Sequence, residues 1–326
     1  MPPSRDSFEI AIICALPLEV RAVAALLDGH HGDGRSEFTG VLEGVPGDRN
    51  AYRAGRIGHH NVVLVHMPKI GKAAAAGTAA GLGASFGNIK LALLVGICGG
   101  VPGGSTDIRL GDIVIGTQVV EYDYGSRSHL ARADNSDGNP GRHDPMIQQL
   151  IRRIQAGKNS LEEHTSDYLA DFLAESGPAM TNGLHDTLYR SDYWHLHQRS
   201  ADCPTRECQN NRYICDAALH ASCEEVKCSS NGMIRHSKRK QRPDIHFGAV
   251  ASGDTLLRSA ARRDDIARQT GVIAFDMEAA GLWDYLPCIM VKSVCDYADS
   301  HKNKRWQDYA AVVAASCSKA ILEYWE

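Results

Sequence analysis

The chain has 326 residues, a formal net charge of -4 and 23% charged residues. That length suits one large α/β domain or two smaller ones. The small net charge offers no field that would favour nucleic acid or an anionic membrane surface, and no apolar run approaches the ~20 residues that span a bilayer. No segment has the pattern of a secretory leader, so a cytoplasmic protein is expected.

Short apolar runs alternate with amphipathic segments along most of the chain. Buried strands are predicted at residues 8–16, 62–67, 91–98, 111–122, 247–252, 272–275 and 288–295. Helices are predicted at residues 19–28, 71–86, 145–155, 165–175 and 306–324. Strands that alternate with helices, several of them uniformly apolar, indicate an α/β fold with a largely parallel sheet.

The stretch at about residues 126–243 departs from this pattern, because it is mostly polar outside two short helical pieces. We interpret it as an insertion on a single domain that spans residues 1–326. Five of the ten cysteines lie there: Cys203, Cys208, Cys215, Cys223 and Cys228. Four residues separate Cys203 from Cys208, and four separate Cys223 from Cys228. This spacing is at the loose end of zinc-site patterns. Nearby histidines are His195, His197 and His220. We favour free thiols here, and a structural zinc site stays open as the alternative.

A basic run at residues 235–242 lies at the end of this insertion. It is interpreted as a solvated surface loop, with a nuclear signal or a phosphate-attracting loop as the alternatives.

Carboxylates stand where several of the predicted strands end. Asp276 and Glu278 follow the strand at residues 272–275. Asp296 closes the strand at residues 288–295, and Glu19 lies just past the first strand. Because ligands of open α/β sheets bind beyond the carboxyl ends of the strands, these acids are candidates for one shared cleft. Burial there raises carboxylate pKa values, which suits proton donation near neutral pH. Alternatively, each acid caps a helix or a turn.

Five motifs occur in a set order: IICALPLEV, IGKAAAA, VGICGG with LGDIVIG, FDMEAAG and SVCDYADS. Together they resemble the nucleoside phosphorylase superfamily, which includes purine nucleoside and uridine phosphorylases and methylthioadenosine/S-adenosylhomocysteine nucleosidases. The runs DIHFGAVASGD and CDYADSHKNKRWQDYAA resemble its fungal branch, often a domain of larger proteins. The resemblance covers about residues 8–125 and 244–325. It implies a single-domain α/β sandwich with a central mixed sheet, assembled as a homo-oligomer.

The resemblance also implies roles for individual residues. Met277 would lie under the ribose, and Glu278 would accept hydrogen bonds from the ribose hydroxyls. Asp276 stands where the nucleosidases have a second acid. Asp296 matches the aspartate that hydrogen-bonds N7 of the purine and protonates the leaving group. Three further positions match residues that line the sugar and base pocket: Ala15, Cys98 and Gly99.

Several positions depart from the purine phosphorylases. Two arginines and a hydroxyl residue that hold phosphate in those enzymes are replaced here by Glu19, Leu94 and Ile97. A carboxylate would repel phosphate, and the nucleosidases use a glutamate at the Glu19 position to activate water. Leu256 stands where the nucleosidases have a phenylalanine that stacks on adenine. Stacking would then come from Tyr297 or from the insertion.

The expected activity is that of a purine nucleosidase, which hydrolyses the N-glycosidic bond of adenosine-like nucleosides or nucleotides to free base and sugar. Asp296 would be the acid and Glu19 the base, with no metal or organic cofactor in the reaction. The expected partner is a small purine nucleoside or nucleotide, and neither nucleic acid nor a membrane. A phosphate-dependent phosphorylase and a non-catalytic nucleoside-sensing module stay as alternatives.

Overall fold

The computed structural model describes residues 4–28, 40–103, 106–123, 144–198, 202–205, 207–210, 214–234, 242–302 and 304–326. The strands in these residues are β1 (Ile10–Cys14), β2 (Val41–Leu42), β3 (Ala51–Ile57), β4 (His60–His66), β5 (Leu91–Gly100), β6 (Ile113–Glu121), β7 (Leu188–Tyr189), β8 (Met233–Ile234), β9 (Ile245–Ser252), β10 (Ala274–Asp276) and β11 (Cys288–Asp296). The helices are α1 (Pro17–Ala25), α2 (Lys72–Ser85), α3 (Pro145–Ala156), α4 (Lys158–Ser176), α5 (Asp216–His220), α6 (Ala260–Thr270), α7 (Ala279–Leu282) and α8 (Arg305–Leu322).

The main sheet has the strand order β10-β9-β6-β11-β5-β1-β4-β3-β2. The central strands β4, β1, β5 and β11 run parallel, and β6, β9 and β10 are parallel to one another. The pairs β2–β3, β3–β4 and β6–β11 are antiparallel. This architecture confirms the predicted α/β fold with a central mixed, largely parallel sheet.

Helices cover the sheet because its central strands are apolar on both faces. Every residue of β1 is buried. Helix α8 packs on β5 and β11 and contacts α1 and α4, whereas α2 packs against α7. The small residues of α8, among them Ala311, Ala314 and Ala315, are buried and allow this close packing. The core therefore lies between β5, β11 and α8.

The sheet closes on itself at one end, because β10 pairs with β5 as well as with β9. Ala274 lies opposite Gly100, and Phe275 lies opposite Gly99. A Cβ on Gly100 would lie only 2.7 Å from Cγ1 of Val294, so glycine permits this close approach. The closure places the acidic end of β10 beside the carboxyl ends of β5 and β11.

The predicted elements differ from the observed ones mainly at their ends. Strand β1 stops at Cys14, and α1 begins at Pro17, whose fixed φ suits the first helical position. The helix predicted at residues 165–175 is the second half of α4. The strands β2 and β3 were not predicted, because Ala51–Ile57 alternates exposed and buried residues and lacks a continuous apolar run.

Part of the segment predicted as an insertion contributes to the main core. Ile147, Leu150 and Ile154 of α3 and Leu161 of α4 are buried in the core cluster. The later part forms a small separate cluster around Leu196, Cys203, Cys208, Cys215, Ala218 and Val226. The predicted insertion boundaries stay a prediction, and residues 235–241 of the basic run lie outside the described residues.

Within the described ranges, no helix combines the length and the hydropathy needed to cross a membrane. The homo-oligomeric state and the cytoplasmic location stay predictions.

Candidate active site

A cavity of about 340 Å³ opens where β1, β5, β10 and β11 end at their carboxyl sides. This volume lies within the range of small-molecule sites. Eight residues singled out in the sequence line it: Ala15, Glu19, Cys98, Gly99, Asp276, Met277, Glu278 and Asp296. The structure therefore brings every predicted site residue to one cavity, while their chemical roles stay predictions.

Glu19 is a buried carboxylate held by backbone N–H groups. Its Oε2 atom accepts hydrogen bonds from Ala15 N at 2.9 Å and Leu16 N at 2.8 Å, and its Oε1 atom accepts from Ile97 N at 2.9 Å. Burial raises the pKa of Glu19 above its usual value, although Lys292 and the backbone donors oppose the shift. The bond to Leu16 is the helix-capping contact considered from the sequence, so Glu19 both caps α1 and faces the cavity.

Gly96 in β5 makes room for this carboxylate. A Cβ atom at that position would overlap Oε1 of Glu19. The close approach of α1 to β5 thus depends on a residue without a side chain. It lets one carboxylate span the ends of β1 and β5.

Lys292 in β11 is a buried cation that the sequence reasoning missed. Its Nζ atom lies 3.5 Å from Oε2 of Glu278 and 3.9 Å from Oδ2 of Asp276, and the residue is 1% exposed. Burial by itself would lower the pKa of Lys292, but Glu278, Glu19 and Asp276 outweigh that effect and raise it. The ammonium group therefore stays charged. A lysine inside the apolar run CIMVKSVC was the available signal.

Asp276 and Glu278 have different surroundings. Asp276 accepts hydrogen bonds from the backbone N–H of Ala279 at 3.1 and 3.3 Å, and from that of Glu278 at 3.3 Å, so it caps α7. Burial raises the pKa of Asp276 to about 6; Lys292 opposes this shift and Glu278 adds to it. Glu278 instead accepts from Gly71 N at 3.3 Å and directs its other oxygen at Lys292. The carboxylate of Asp276 is therefore engaged mainly in capping α7, whereas that of Glu278 accepts from fewer backbone N–H groups.

Asp296 ends β11 at an irregularity of the strand. The register with β5 shifts between Val294 and Asp296, which places Asp296 opposite Gly99. Its Oδ1 atom accepts from Ala298 N at 2.8 Å. The Nζ atom of Lys302 lies 3.0 and 3.1 Å from its two oxygens. Such a bulge re-aims a side chain beside a site, and here it directs Asp296 into the cavity together with Lys302, which sequence reasoning also missed.

Apolar and aromatic groups line the rest of the cavity. Leu256, the residue in place of the stacking phenylalanine, is one of them, and Phe275 is another. The segment predicted as an insertion contributes Leu219 and His220. The insertion thus reaches the cavity, while the expectation that it supplies the stacking contact stays a prediction.

Tyr297 was the other candidate for stacking, and that prediction is wrong. Its hydroxyl donates a hydrogen bond to Oδ1 of Asp186 at 2.6 Å, and the residue is 3% exposed. The side chain lies outside the lining of the candidate cavity. The turn after β11 directs Tyr297 away from the cavity and Asp296 towards it, a difference that the sequence spacing does not reveal.

The comparisons with known proteins agree with this architecture. The phosphorylase superfamily matches residues 9–324 of the chain. A nucleotide-binding leucine-rich repeat (NLR)-like protein of Hyaloscypha variabilis is 30% identical over 327 residues, which cover 97% of this chain and 29% of that protein. The chain thus spans less than a third of the length of this relative.

Solved structures share the fold at low sequence identity. The 5'-methylthioadenosine/S-adenosylhomocysteine nucleosidase from Neisseria meningitidis, in complex with methylthio-immucillin-A, has a TM-score of 0.57 and 16% identity, covering 96% of this chain and 98% of its own. Futalosine hydrolase of Helicobacter pylori has a TM-score of 0.57 and 16% identity, covering 98% and 99%. From the family match over nearly its whole length, we conclude that the chain belongs to the phosphorylase superfamily.

Proposed function

We propose that the chain is a purine nucleosidase that hydrolyses the N-glycosidic bond of adenosine-like nucleosides or nucleotides. The observation that carries the proposal is the position of Glu19: a buried carboxylate, not a cation, lines the same cavity as Asp296 and Lys302. The names of the structural relatives, nucleosidase and hydrolase, agree with this chemistry.

The reaction breaks the bond between C1′ of the sugar and N9 of the purine. The electron pair of that bond goes to the base, and a proton reaches N7 from Asp296. The Nζ atom of Lys302 lies 3.0 Å from Oδ1 of Asp296, so the ammonium group can supply the proton that Asp296 passes to N7. Water then bonds to C1′, and Glu19 accepts the proton that the water loses. The products are free base and free sugar.

The sugar gains positive charge as the bond breaks, and carboxylates in a dry cavity stabilise that charge. Glu278 and Met277 line the cavity, and in this proposal they contact the ribose. Glu278 can still accept hydrogen bonds from ribose hydroxyls, because its contacts with Gly71 N and Lys292 are long, at 3.3 and 3.5 Å. Holding the hydroxyls in place fixes the geometry of attack.

The alternative of a phosphorylase is less well supported. Leu94 is fully buried in the core, and Ile97 presents an aliphatic side chain and donates its N–H to Glu19. A phosphate at this end of the cavity would meet a carboxylate in place of the guanidinium and hydroxyl donors that bind phosphate well.

The cavity nevertheless has a cationic side. Arg258, Lys302 and Lys304 line it, whereas the buried Lys292 is not among the lining residues. Arg258 and Lys304 supply charge that would attract the 5′-phosphates of a nucleotide. These residues therefore keep nucleotides such as ATP among the candidate substrates, next to unmodified nucleosides and thioethers.

A chromatographic assay for free base tests the proposal. The purified protein is incubated with adenosine, inosine, guanosine, methylthioadenosine and ATP, in buffers with and without phosphate, and the sugar product is identified. We expect adenine and free ribose, or its 5′-derivative, at rates that do not depend on phosphate.

Two outcomes would reject this function. Phosphate-dependent turnover with a sugar 1-phosphate as product would identify a phosphorylase. Calorimetric binding of adenosine with no base released on long incubation would identify a sensing module.

A further inference from the structure

We propose that Cys223, Cys228, His195 and His301 form a tetrahedral zinc site that joins the segment after α5 to the loop that follows β11. This assignment does not depend on the proposed catalytic function. It also differs from the pairing suggested by sequence spacing, because Cys203, Cys208 and Cys215 form a separate group whose ligand atoms lie within 4.8 Å of one another.

The distances within the group suit a metal ion. Nδ1 of His195 lies 3.6 Å from Sγ of Cys223 and 3.5 Å from Sγ of Cys228. Ligand atoms of His195, Cys228 and His301 all lie within 4.8 Å of one another. Zinc bonds of about 2.3 Å to sulfur and about 2.0 Å to nitrogen separate the two ligands of a tetrahedral site by about 3.5 Å. His195, Cys228 and His301 are therefore spaced for one ion, and Cys223 adjoins them through its contact with His195.

The hydrogen bonds of His195 fix the tautomer that a metal requires. Its Nε2 atom lies 3.0 Å from two backbone carbonyl oxygens, those of Ala218 and Ala221. Since carbonyls only accept, Nε2 carries the proton. Nδ1 faces the two sulfurs and is the nitrogen left for a metal. Metal-bound histidines characteristically donate their other N–H to a carbonyl or a carboxylate.

His301 supplies a second, independent observation. Both of its ring nitrogens are buried without a hydrogen-bond partner in the described part of the protein. An imidazole with two unsatisfied nitrogens is costly inside a protein, and a metal bond would satisfy one of them.

Cys223 and Cys228 supply the two sulfur ligands, since both Sγ atoms lie within 3.6 Å of Nδ1 of His195. Zinc binding releases the thiol protons, and two thiolates with two neutral imidazoles balance the charge of Zn²⁺.

The site would connect the insertion with the catalytic loop. His301 lies in the loop that begins after Asp296, next to Lys302, which pairs with Asp296. The backbone N–H of His195 donates to Oγ of Ser300 at 3.0 Å, so the two segments already contact each other. A metal bond to His301 would hold this loop, and with it the Asp296–Lys302 pair.

Metal content of purified, reduced protein tests the site. Zinc per chain is measured by mass spectrometry for the unchanged protein, Cys228→Ser and His301→Phe. Phenylalanine keeps the ring that stacks on Tyr189 at 3.9 Å but removes both nitrogens. We expect at least one zinc per chain in the unchanged protein and one fewer in each variant. Loss of a direct ligand should weaken binding beyond the ~10–100-fold typical of outer-shell partners.

Two further variants separate this site from its surroundings. Cys317→Ser alters a buried thiol in α8 and should leave the zinc content unchanged. Cys215→Ser reports on the separate cysteine group. Replacement of zinc by cobalt should also give thiolate-to-metal charge-transfer bands that His301→Phe diminishes.

Three results would overturn the proposal. One is reduced protein that binds neither zinc nor cobalt. Another is metal lost in Cys215→Ser but retained in His301→Phe, which would assign it to the other group. The third is a Cys223–Cys228 disulfide in intact-mass analysis of protein purified without a reductant. If Cys228→Ser fails to fold, His301→Phe decides between these outcomes.

Discussion

Asp296 can be tested through the leaving group of the substrate. Asp296→Asn keeps an oxygen for Ala298 N, which Asp296 contacts at 2.8 Å, but it cannot hand a proton to N7. We expect adenosine hydrolysis to fall by ~10²–10⁴, the usual span for a lost general acid. A p-nitrophenyl riboside, whose leaving group needs no protonation, should be affected far less. Rates on both substrates, measured with the same preparation, check this.

Equal losses on the two leaving groups would remove Asp296 from the role of acid. A pure capping role predicts that pattern, together with a stability loss of ~1 kcal/mol.

Titration of Glu19 should determine the fall in rate on the acid side of the pH–rate profile. A general base must be deprotonated to act, and burial raises the pKa of Glu19 above its ordinary value. The value of kcat/KM should therefore fall, as pH is lowered, around an apparent pKa above the ~4.3 of an ordinary glutamate. An acid limb at or below that value would exclude Glu19 as the base.

Glu19→Gln should affect both catalysis and folding. Oε2 accepts two N–H groups and Oε1 accepts a third, so either orientation of the amide places its NH₂ against a backbone donor. We expect activity to be lost and the free energy of unfolding to fall by ~1–3 kcal/mol, the effect of leaving buried donors unpaired. Urea denaturation measures the second effect, and an unchanged stability would contradict the hydrogen bonds described.

At the scale of elements, the distance between α1 and β5 depends on Gly96. In Gly96→Ala the new methyl group would overlap the Glu19 carboxylate and displace it from its backbone donors. We expect loss of activity with a clear drop in melting temperature. The matched control is Gly83→Ala in α2, where an added Cβ meets nothing within 4 Å. That change should raise stability by ~0.4–1 kcal/mol and leave activity unchanged.

A full-activity Gly96→Ala variant would show that Glu19 can act from another position. Gly96→Ala and Gly83→Ala add the same methyl group. The difference between their effects on stability and activity therefore isolates the contact between α1 and β5.

At the scale of the whole molecule, Lys292 is the shared counterion of carboxylates from distant parts of the chain. Lys292→Met removes the charge and keeps much of the volume. We expect the free energy of unfolding to fall by ~3–5 kcal/mol near neutral pH, the effect of breaking a buried ion pair. Denaturant titrations over a range of pH measure this loss.

The sign of the pH dependence follows from the pKa shifts of Glu19 and Asp276. Lys292 lowers the pKa of both groups, so its removal raises those values further. A carboxylate whose folded pKa lies above its unfolded value contributes stability at low pH and loses that contribution as pH rises through the folded pKa. For Asp276 that pKa is already about 6. The deficit of the variant should therefore be largest at neutral and alkaline pH and shrink on acidification. A deficit that is the same at every pH would contradict this coupling.

Much of the architecture was predictable from the sequence, because its signals are local. Uniformly apolar runs identified β1, β5 and β11, and the acids after them were expected at one edge of the sheet. The eight site residues predicted from the motifs, of which Ala15 is the first and Asp296 the last in the chain, line one cavity. Parallel strands end at the same edge of a sheet, so the shared position of Glu19 and Asp296 needed no tertiary detail. Strand β10 runs antiparallel to β5, and only its pairing with β5 brings Asp276 and Glu278 to the same edge.

Only the tertiary structure decided which side chains meet. The pairing of β10 with β5 sets Phe275 opposite Gly99, and the shift in register after Val294 aims Asp296 at the cavity but Tyr297 away from it. Lys292 looked like an isolated polar residue until its strand was placed beside β5 and its carboxylate partners.

The cysteines show the same limit. Spacing paired two cysteine doublets with each other, whereas the structure places Cys228 with His195 and His301, and Cys203, Cys208 and Cys215 in a separate group. Sequence determined the elements and the edge at which the chemistry lies, because both follow from local periodicity. The partners of each buried charge and thiol depend on contacts between residues far apart in the chain, and only the folded arrangement brings those residues together.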